Sequence, residues 1–206
     1  MTIAIINYGM GNLNSVQKVL NKIGYASIIT KDPEEISEAD LILLPGVGSF
    51  KKGMENLKES GLNEILTKEV IINKKPFIGI CLGMQLVASF GTEPERVEGL
   101  GWIDGSVVKM ESKQGYRIPH LGWNSVKINK SNSFYEEFDE ADFYFIHSYH
   151  FKTTETDKVT MYVNYENDLV AAIEKENINV MQFHPEKSQD LGIKLLQKII
   201  NKYVKL

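Results

Sequence analysis

The chain has 206 residues, 43% of them hydrophobic and 24% charged, with a net charge of −4. That size and balance suit one compact α/β domain over residues 1–206 and argue against a disordered or fibrous chain. The net negative charge leaves no basic field for a nucleic-acid backbone, and no apolar run approaches the roughly 18 residues that span a bilayer.

Residues 2–6 enter a strand-like run at once, without the basic stretch and small-residue cleavage site of a signal peptide. A cytoplasmic protein is expected. The single cysteine, Cys81, rules out an internal disulfide and suits a reducing compartment, where its thiol stays free for chemistry.

In chain order, residues 3–7 read as a buried strand ending at Gly9-Met10-Gly11. Residues 14–23 place Val16, Val19, Leu20 and Ile23 at helical spacing, with Gly24 as the stop. A short strand follows at 26–30, then an apolar strand at 40–44 closed by Pro45-Gly46-Val47-Gly48. Amphipathic helices are expected at 50–59 and 62–72, and the strand 76–80 runs straight into Cys81. Apolar strands separated by helices imply a parallel sheet covered on both faces. Ligands gather beyond the carboxyl ends of such strands, a rim shared here by the loops at 9–14, 45–49 and from Cys81 onward.

The second half changes character. Residues 105–110, 124–128, 143–147, 159–165 and 169–174 are short, turn-separated runs that read as antiparallel strands. A further strand is expected at 178–183 and a closing helix at 189–203. The expected fold class is therefore α/β: a mostly parallel central sheet flanked by helices, with additional antiparallel strands in the C-terminal half.

Gly79-Ile80-Cys81-Leu82-Gly83 has the form of a nucleophile elbow, a tight turn between strand and helix that pushes the reactive atom out of the sheet. A helix starting with Met84-Gln85-Leu86-Val87 would offer its positive end to the sulfur, and the Leu82 N–H would supply half of an oxyanion hole. A lone cysteine also fits a small buried hydrophobe. A thiol nucleophile needs a base, and the base an orienting group. Of His120, His147, His150 and His184, the last ends an apolar strand inside Phe183-His184-Pro185-Glu186-Lys187-Ser188, which puts it on the same rim as Cys81. Glu186 lies two residues on, where its carboxylate can turn back to the imidazole. The plainer reading of Glu186 and Ser188 is a charged, capped helix start.

The segments Gly79-Ile80-Cys81-Leu82-Gly83-Met84-Gln85 and His184-Pro185-Glu186 together resemble the class I (triad) glutamine amidotransferases. Asn7-Tyr8-Gly9-Met10-Gly11-Asn12-Leu13, Leu44-Pro45-Gly46-Val47-Gly48-Ser49-Phe50, Pro119-His120-Leu121-Gly122-Trp123-Asn124 and His147-Ser148-Tyr149 narrow the likeness to glutaminase subunits of imidazole glycerol phosphate synthases, in the histidine pathway. The resemblance implies that Cys81 attacks the glutamine amide, with His184 as base and Glu186 holding the imidazole. It further implies an oxyanion hole from Leu82 and the Val47-Gly48 backbone, and a glutamine site at Gln85, Glu93, Ser148 and Tyr149. Asn12, Trp123 and Lys187 match positions at a partner face. The implied partner is a cyclase subunit with a (βα)8 barrel in a heterodimer, and no cofactor or metal is implied. The loop at 47–48 is expected to reorient when the partner is occupied, leaving resting activity low.

Trp123 also fits a core aromatic, Asn12 a helix cap and Tyr149 a strand aromatic. Trp102, in Glu98-Gly99-Leu100-Gly101-Trp102-Ile103-Asp104-Gly105, departs from the histidine-pathway pattern and resembles paralogues that supply ammonia for amino sugars of surface polysaccharides. A stand-alone cysteine hydrolase of similar fold, active without a partner, and a catalytically silent regulatory protein are the rival classes. The presence of Cys81, His184 and Glu186 together speaks against the silent one.

Overall fold

The computed structural model describes residues 1–111, 115–129 and 133–204. The chain opens with β1 (Thr2–Ile6), α1 (Leu13–Lys22), β2 (Ala26–Thr30), α2 (Pro33–Glu38), β3 (Leu41–Gly46) and α3 (Phe50–Glu59). Then come α4 (Leu62–Thr67), β4 (Phe77–Cys81), the one-turn α5 (Leu82–Gln85), β5 (Ala88–Gly91), β6 (Val97–Glu98) and β7 (Ile103–Lys109). The remainder is β8 (His120–Ile128), β9 (Asp142–His147), β10 (Tyr149–Lys152), β11 (Val159–Tyr165), β12 (Asn167–Lys175), β13 (Ile178–Met181) and α6 (Gln189–Asn201).

Among the described residues, nine strands form the main sheet in the order β2-β1-β3-β4-β13-β12-β11-β8-β9. Strands β2, β1, β3, β4 and β13 pair in parallel; β12, β11, β8 and β9 continue antiparallel. A second sheet has the order β10-β7-β5-β6. The expected α/β class, with its antiparallel second half, is what the chain adopts.

The parallel strands are apolar throughout because helices cover both faces. Ile3, Ile5, Leu41, Leu43, Ile78 and Ile80 pack with Val16 and Leu20 of α1 and Leu195 and Ile199 of α6. The alternate residues Ala4, Ile6, Ile42, Leu44 and Phe77 pack with Phe50, Met54 and Leu57 of α3 and Leu62 of α4. This two-residue alternation is the strand period itself. Parallel pairing then brings the carboxyl ends of β1, β3, β4 and β13 to one edge, with Gly46 opposite Cys81 and Met181 opposite Ile80.

Several boundaries differ from the sequence reading. The run at 62–72 is two pieces, α4 and a π-helical turn over Lys68–Ile72. Strand β8 begins at His120 rather than 124, with Gly122 inside the strand at φ +131°. The helix expected from Met84 is a single turn, since Leu86, Val87 and Ala88 are fully buried as the chain passes into β5. One turn carries little macrodipole, so the help expected for the sulfur from that source is small.

The elbow itself is enforced sterically. A Cβ at Gly79 would lie 2.8 Å from the Gly83 carbonyl oxygen, and one at Gly83 would collide with the Leu44 carbonyl. A Gly83→Ala variant is expected to lose about 1–3 kcal/mol from overpacking, lowering Tm by roughly 2–12 °C in a chain of this size. Thermal unfolding by circular dichroism checks this; an unchanged Tm would mean the turn accepts a side chain.

Candidate active site

Cys81 stands at the end of β4 with φ 54° and ψ −107°, outside the regions that L-residues favour. Strain of this kind persists only where the surroundings impose it, and here the packed glycines do. Cys81 is 6% exposed. Its weak contacts are the Gln182 amide, 3.6 Å away, and the Ile146 carbonyl, 3.9 Å away.

His184 follows β13 on the neighbouring strand and is pinned from its backbone. Its N–H donates to the Tyr144 carbonyl at 2.9 Å. The Ser188 hydroxyl donates to the His184 carbonyl at 2.6 Å and accepts from the Tyr144 N–H at 3.0 Å. Ser188 is therefore a strut rather than the side-chain cap of the plainer reading. Pro185 opens a 3-10 turn over Pro185–Lys187 that returns Glu186 Oε1 to 2.7 Å from His184 Nδ1. Nδ1 facing a carboxylate carries the proton, so the neutral ring leaves its lone pair on Nε2. No hydrogen bond of full geometry reaches the buried Nε2, while the Cys81 sulfur is close enough to act on the ring. Burial lowers the His184 pKa, but hydrogen bonding to Cys81 and Glu186 and their charges outweigh it, pushing it up to about 9.

The sulfur opens on a cleft of about 600 Å³. Of the residues singled out in the sequence, Val47, Gly48, Cys81, Leu82, Gln85, Glu93, Ser148, Tyr149 and Lys187 line it. His184 and Glu186 do not; they lie buried behind the sulfur. The Glu93 carboxylate accepts from the Phe50 N–H at 3.0 Å, tying the loop at 47–49 to the far wall. Burial, then the Glu93 charge, raise the pKa of the Tyr149 phenol. Asn12 does cap α1, accepting from the Ser15 N–H at 3.4 Å, and stands off the cleft. Trp123 is no core aromatic: it is 47% exposed. It packs edge-on to Tyr144, over which Lys187 also lies. A second cavity of about 440 Å³ beside His150 shares no lining residue with the cleft.

Three features were not anticipated. Gln182 is fully buried beside the sulfur, the polar member of an apolar run, and that pattern was its one signal. Tyr8 is buried with its hydroxyl unpartnered, and burial and then the nearby Cys81 raise its pKa. His120 and His147 form a buried pair, Nδ1 to Nε2 at 3.0 Å. Among the described residues no group of three or more His, Cys, Asp or Glu is placed to hold a metal ion, and no helix is long and apolar enough to cross a membrane.

Residues 4–202 match the family model Glutamine amidotransferase class-I. The chain belongs to that family. It is an enzyme family, and the curated relatives agree in kind. One is the imidazole glycerol phosphate synthase subunit HisH 1 of Campylobacter jejuni (strain RM1221), 49% identical over 199 residues, covering 96% of this chain and 98% of that one. Another is the imidazole glycerol phosphate synthase subunit HisH 2 of Methanococcus maripaludis, 47% identical over 199 residues with 96% and 98% covered. Among solved structures, PurLQS from Thermotoga maritima shares the fold with a TM-score of 0.74 at 18% identity, covering 99% of each chain.

The histidines should separate by environment in a proton-detected titration of labelled imidazoles. His184 is expected to titrate near 9, whereas burial holds His120 down to about 4 and His147 to about 3. By linkage, the raised His184 value stabilises the fold below about pH 6.5 and that contribution is lost as pH rises toward 9. The two lowered values act the other way, so stability falls as pH drops from 6.5 toward 4 and 3. Glu186→Gln should bring the His184 midpoint down; a midpoint that stays put would remove Glu186 from the pair.

Proposed function

We propose that this chain, as one catalytic domain over residues 1–206, is the glutaminase subunit of an imidazole glycerol phosphate synthase. It hydrolyses L-glutamine to glutamate and ammonia and passes the ammonia to a cyclase partner with a (βα)8 barrel. That partner uses it to form imidazole glycerol phosphate and AICAR in histidine biosynthesis. The carrying observation is the His184 Nδ1 contact to Glu186 at 2.7 Å beside the only cysteine. The HisH relatives support the pathway.

In this reading His184, with its pKa pushed up to about 9, already holds the Cys81 proton on Nε2 near neutral pH, and the anionic sulfur attacks the amide carbon of glutamine. The resulting oxyanion is held by the Leu82 N–H and the Val47-Gly48 backbone. Collapse of the tetrahedral adduct breaks the C–N bond, and His184 returns the proton to the leaving nitrogen, releasing ammonia. A water molecule, deprotonated by His184, then hydrolyses the thioester to glutamate and restores the thiol. No cofactor enters these steps. Gln85, Glu93, Ser148 and Tyr149 hold the glutamine. Val47, Ile146 and Trp123, exposed at 41%, 39% and 47%, leave an apolar rim for the partner, joined by Lys187 and Asn12.

The copy numbers in several relatives' names favour one second reading, of the pathway and not of the chemistry. In it, a paralogous glutaminase feeds amino-sugar formation for surface polysaccharide. Trp102, the residue that departs from the histidine-pathway pattern, packs on Phe77 and donates to the Thr67 hydroxyl. It does not line the cleft.

Cys81→Ala in the complex is expected to abolish glutamine-dependent synthesis and leave ammonia-dependent synthesis intact; equal loss of both would make Cys81 structural. His184→Ala should cost roughly 10⁴-fold in glutamine turnover, and a loss below tenfold would end its role as base. The isolated chain should turn over glutamine weakly, rising with the correct synthase. Full activity alone would point to a stand-alone hydrolase, and activation only by an amino-sugar synthase to the paralogue.

A further inference from the structure

We propose that His120 and His147 are positioning residues for glutamine cleavage, fixing the Tyr149 carbonyl and the Gln182 amide against the Cys81 sulfur through one buried chain of hydrogen bonds. The inference rests on the glutaminase reading above and adds to it two residues that touch neither the sulfur nor a triad member.

The chain can be followed bond by bond. The Tyr149 carbonyl only accepts, so His147 Nδ1, 2.9 Å away, donates to it. Nε2 of the neutral ring is then an acceptor, and His120 Nδ1 donates to it at 3.0 Å. His120 Nε2 in turn accepts from the Asn124 amide at 3.3 Å. On the other side the same Tyr149 carbonyl accepts from Gln85 Nε2 at 3.0 Å, and that nitrogen also donates to Gln182 Oε1 at 2.9 Å. The remaining amide of Gln182 donates to the Cys81 sulfur at 3.6 Å. One arrangement of hydrogens satisfies every link.

Burial makes that arrangement exclusive. His120 is 2% exposed, His147 6%, Gln85 5% and Gln182 0%, so water offers no substitute partner. The His120 ring is stacked between Phe145, at 4.7 Å, and Tyr165, at 3.9 Å, and cannot swing away. Both histidines remain neutral because burial disfavours the charged form, which the tautomer sequence requires.

The location gives the chain its purpose. His120 and His147 face one another across the β8–β9 pair. The next pair, Leu121 with Ile146, and Trp123 two positions further along β8 are exposed and point outward. The strand pair that offers its outer face to a partner thus carries on its inner face the groups that hold the glutamine-binding segment Ser148-Tyr149 and, through Gln85 and Gln182, the nucleophile.

The test compares His147→Phe, which removes the donor to Tyr149, with His147→Asn, whose amide nitrogen can take the place of Nδ1. His120→Phe keeps a stacked ring but leaves His147 Nε2 without its donor. Glutamine kcat and KM are measured in the complex, with ammonia-dependent synthesis and Tm as controls for assembly. His147→Phe and His120→Phe should lower kcat roughly 10- to 100-fold, the scale of a small misplacement of reacting groups. Ammonia-dependent synthesis should persist, and His147→Asn should recover most of the loss. A lowered Tm with kcat within about twofold of wild type would show a purely structural pair and overturn the proposal, as would an Asn variant no better than Phe. Should His147→Phe fail to assemble, His120→Phe decides alone. A wild-type complex that does not cleave glutamine would instead bring down the glutaminase reading.

Discussion

The backbone turn at Cys81 is the constraint on which the site depends. A residue at φ 54° and ψ −107° is unfavourable for any side chain, and the turn is kept because there is no room for a relaxed one. Gly79 and Gly83 close on each other, Gly83 presses on the Leu44 carbonyl, and Gly46 on β3 leaves space for Leu82 and the Tyr8 hydroxyl. With those glycines in place the chain leaves the sheet at one point only, and it does so with the sulfur outward. The cost of the strain is spread over a parallel sheet buried on both faces, which is stiff enough to bear it.

Parallel pairing supplies the second half of the geometry. Because β4 and β13 run side by side in the same direction, Cys81 ending one and His184 just beyond the other arrive at the same edge despite being 103 positions apart in the chain, as the numbers 81 and 184 show. His184 is then held by contacts that come from neither strand: the Tyr144 carbonyl from β9 and the Ser188 hydroxyl from the segment before α6. The antiparallel half of the sheet is thus more than an extension. It sets the position of the imidazole and walls the cleft through Ile146 and His147 of β9, with Ser148 and Tyr149 continuing the wall as the chain passes to β10 of the second sheet.

Much of this was legible in the sequence because the relevant signals are local. Apolar runs of strand length, glycines flanking one cysteine, and His-Pro-Glu each constrain a few residues, and the chain follows them. What was not legible depends on partners distant in sequence. The single-turn length of α5 follows from the burial of Leu86, Val87 and Ala88 in a core assembled from both sheets, which no local periodicity reveals. Asn12 satisfied its plain reading as a cap, whereas Trp123 did not satisfy its own, since strand alternation alone does not say which face of β8 meets solvent. Gln182 and the His120–His147 pair stayed hidden because a buried polar residue takes its meaning from its hydrogen-bond partner, and the two histidines lie 27 residues apart while Gln182 meets Gln85 and Cys81 from 97 and 101 residues away.

The four histidines show how environment divides one residue type into different roles. His184 is as deeply buried as His147, and burial pushes both toward the neutral form. Only His184 has a carboxylate on one nitrogen and a sulfur near the other, and those outweigh desolvation. His147 has a carbonyl and a second neutral ring, which stabilise a single uncharged tautomer. A base must exchange its proton during turnover, whereas a residue that fixes a carbonyl must never do so. Under the proposed reaction, placing both kinds of imidazole around one cleft would let the reacting proton move while the hydrogen bonds that define the geometry stay fixed.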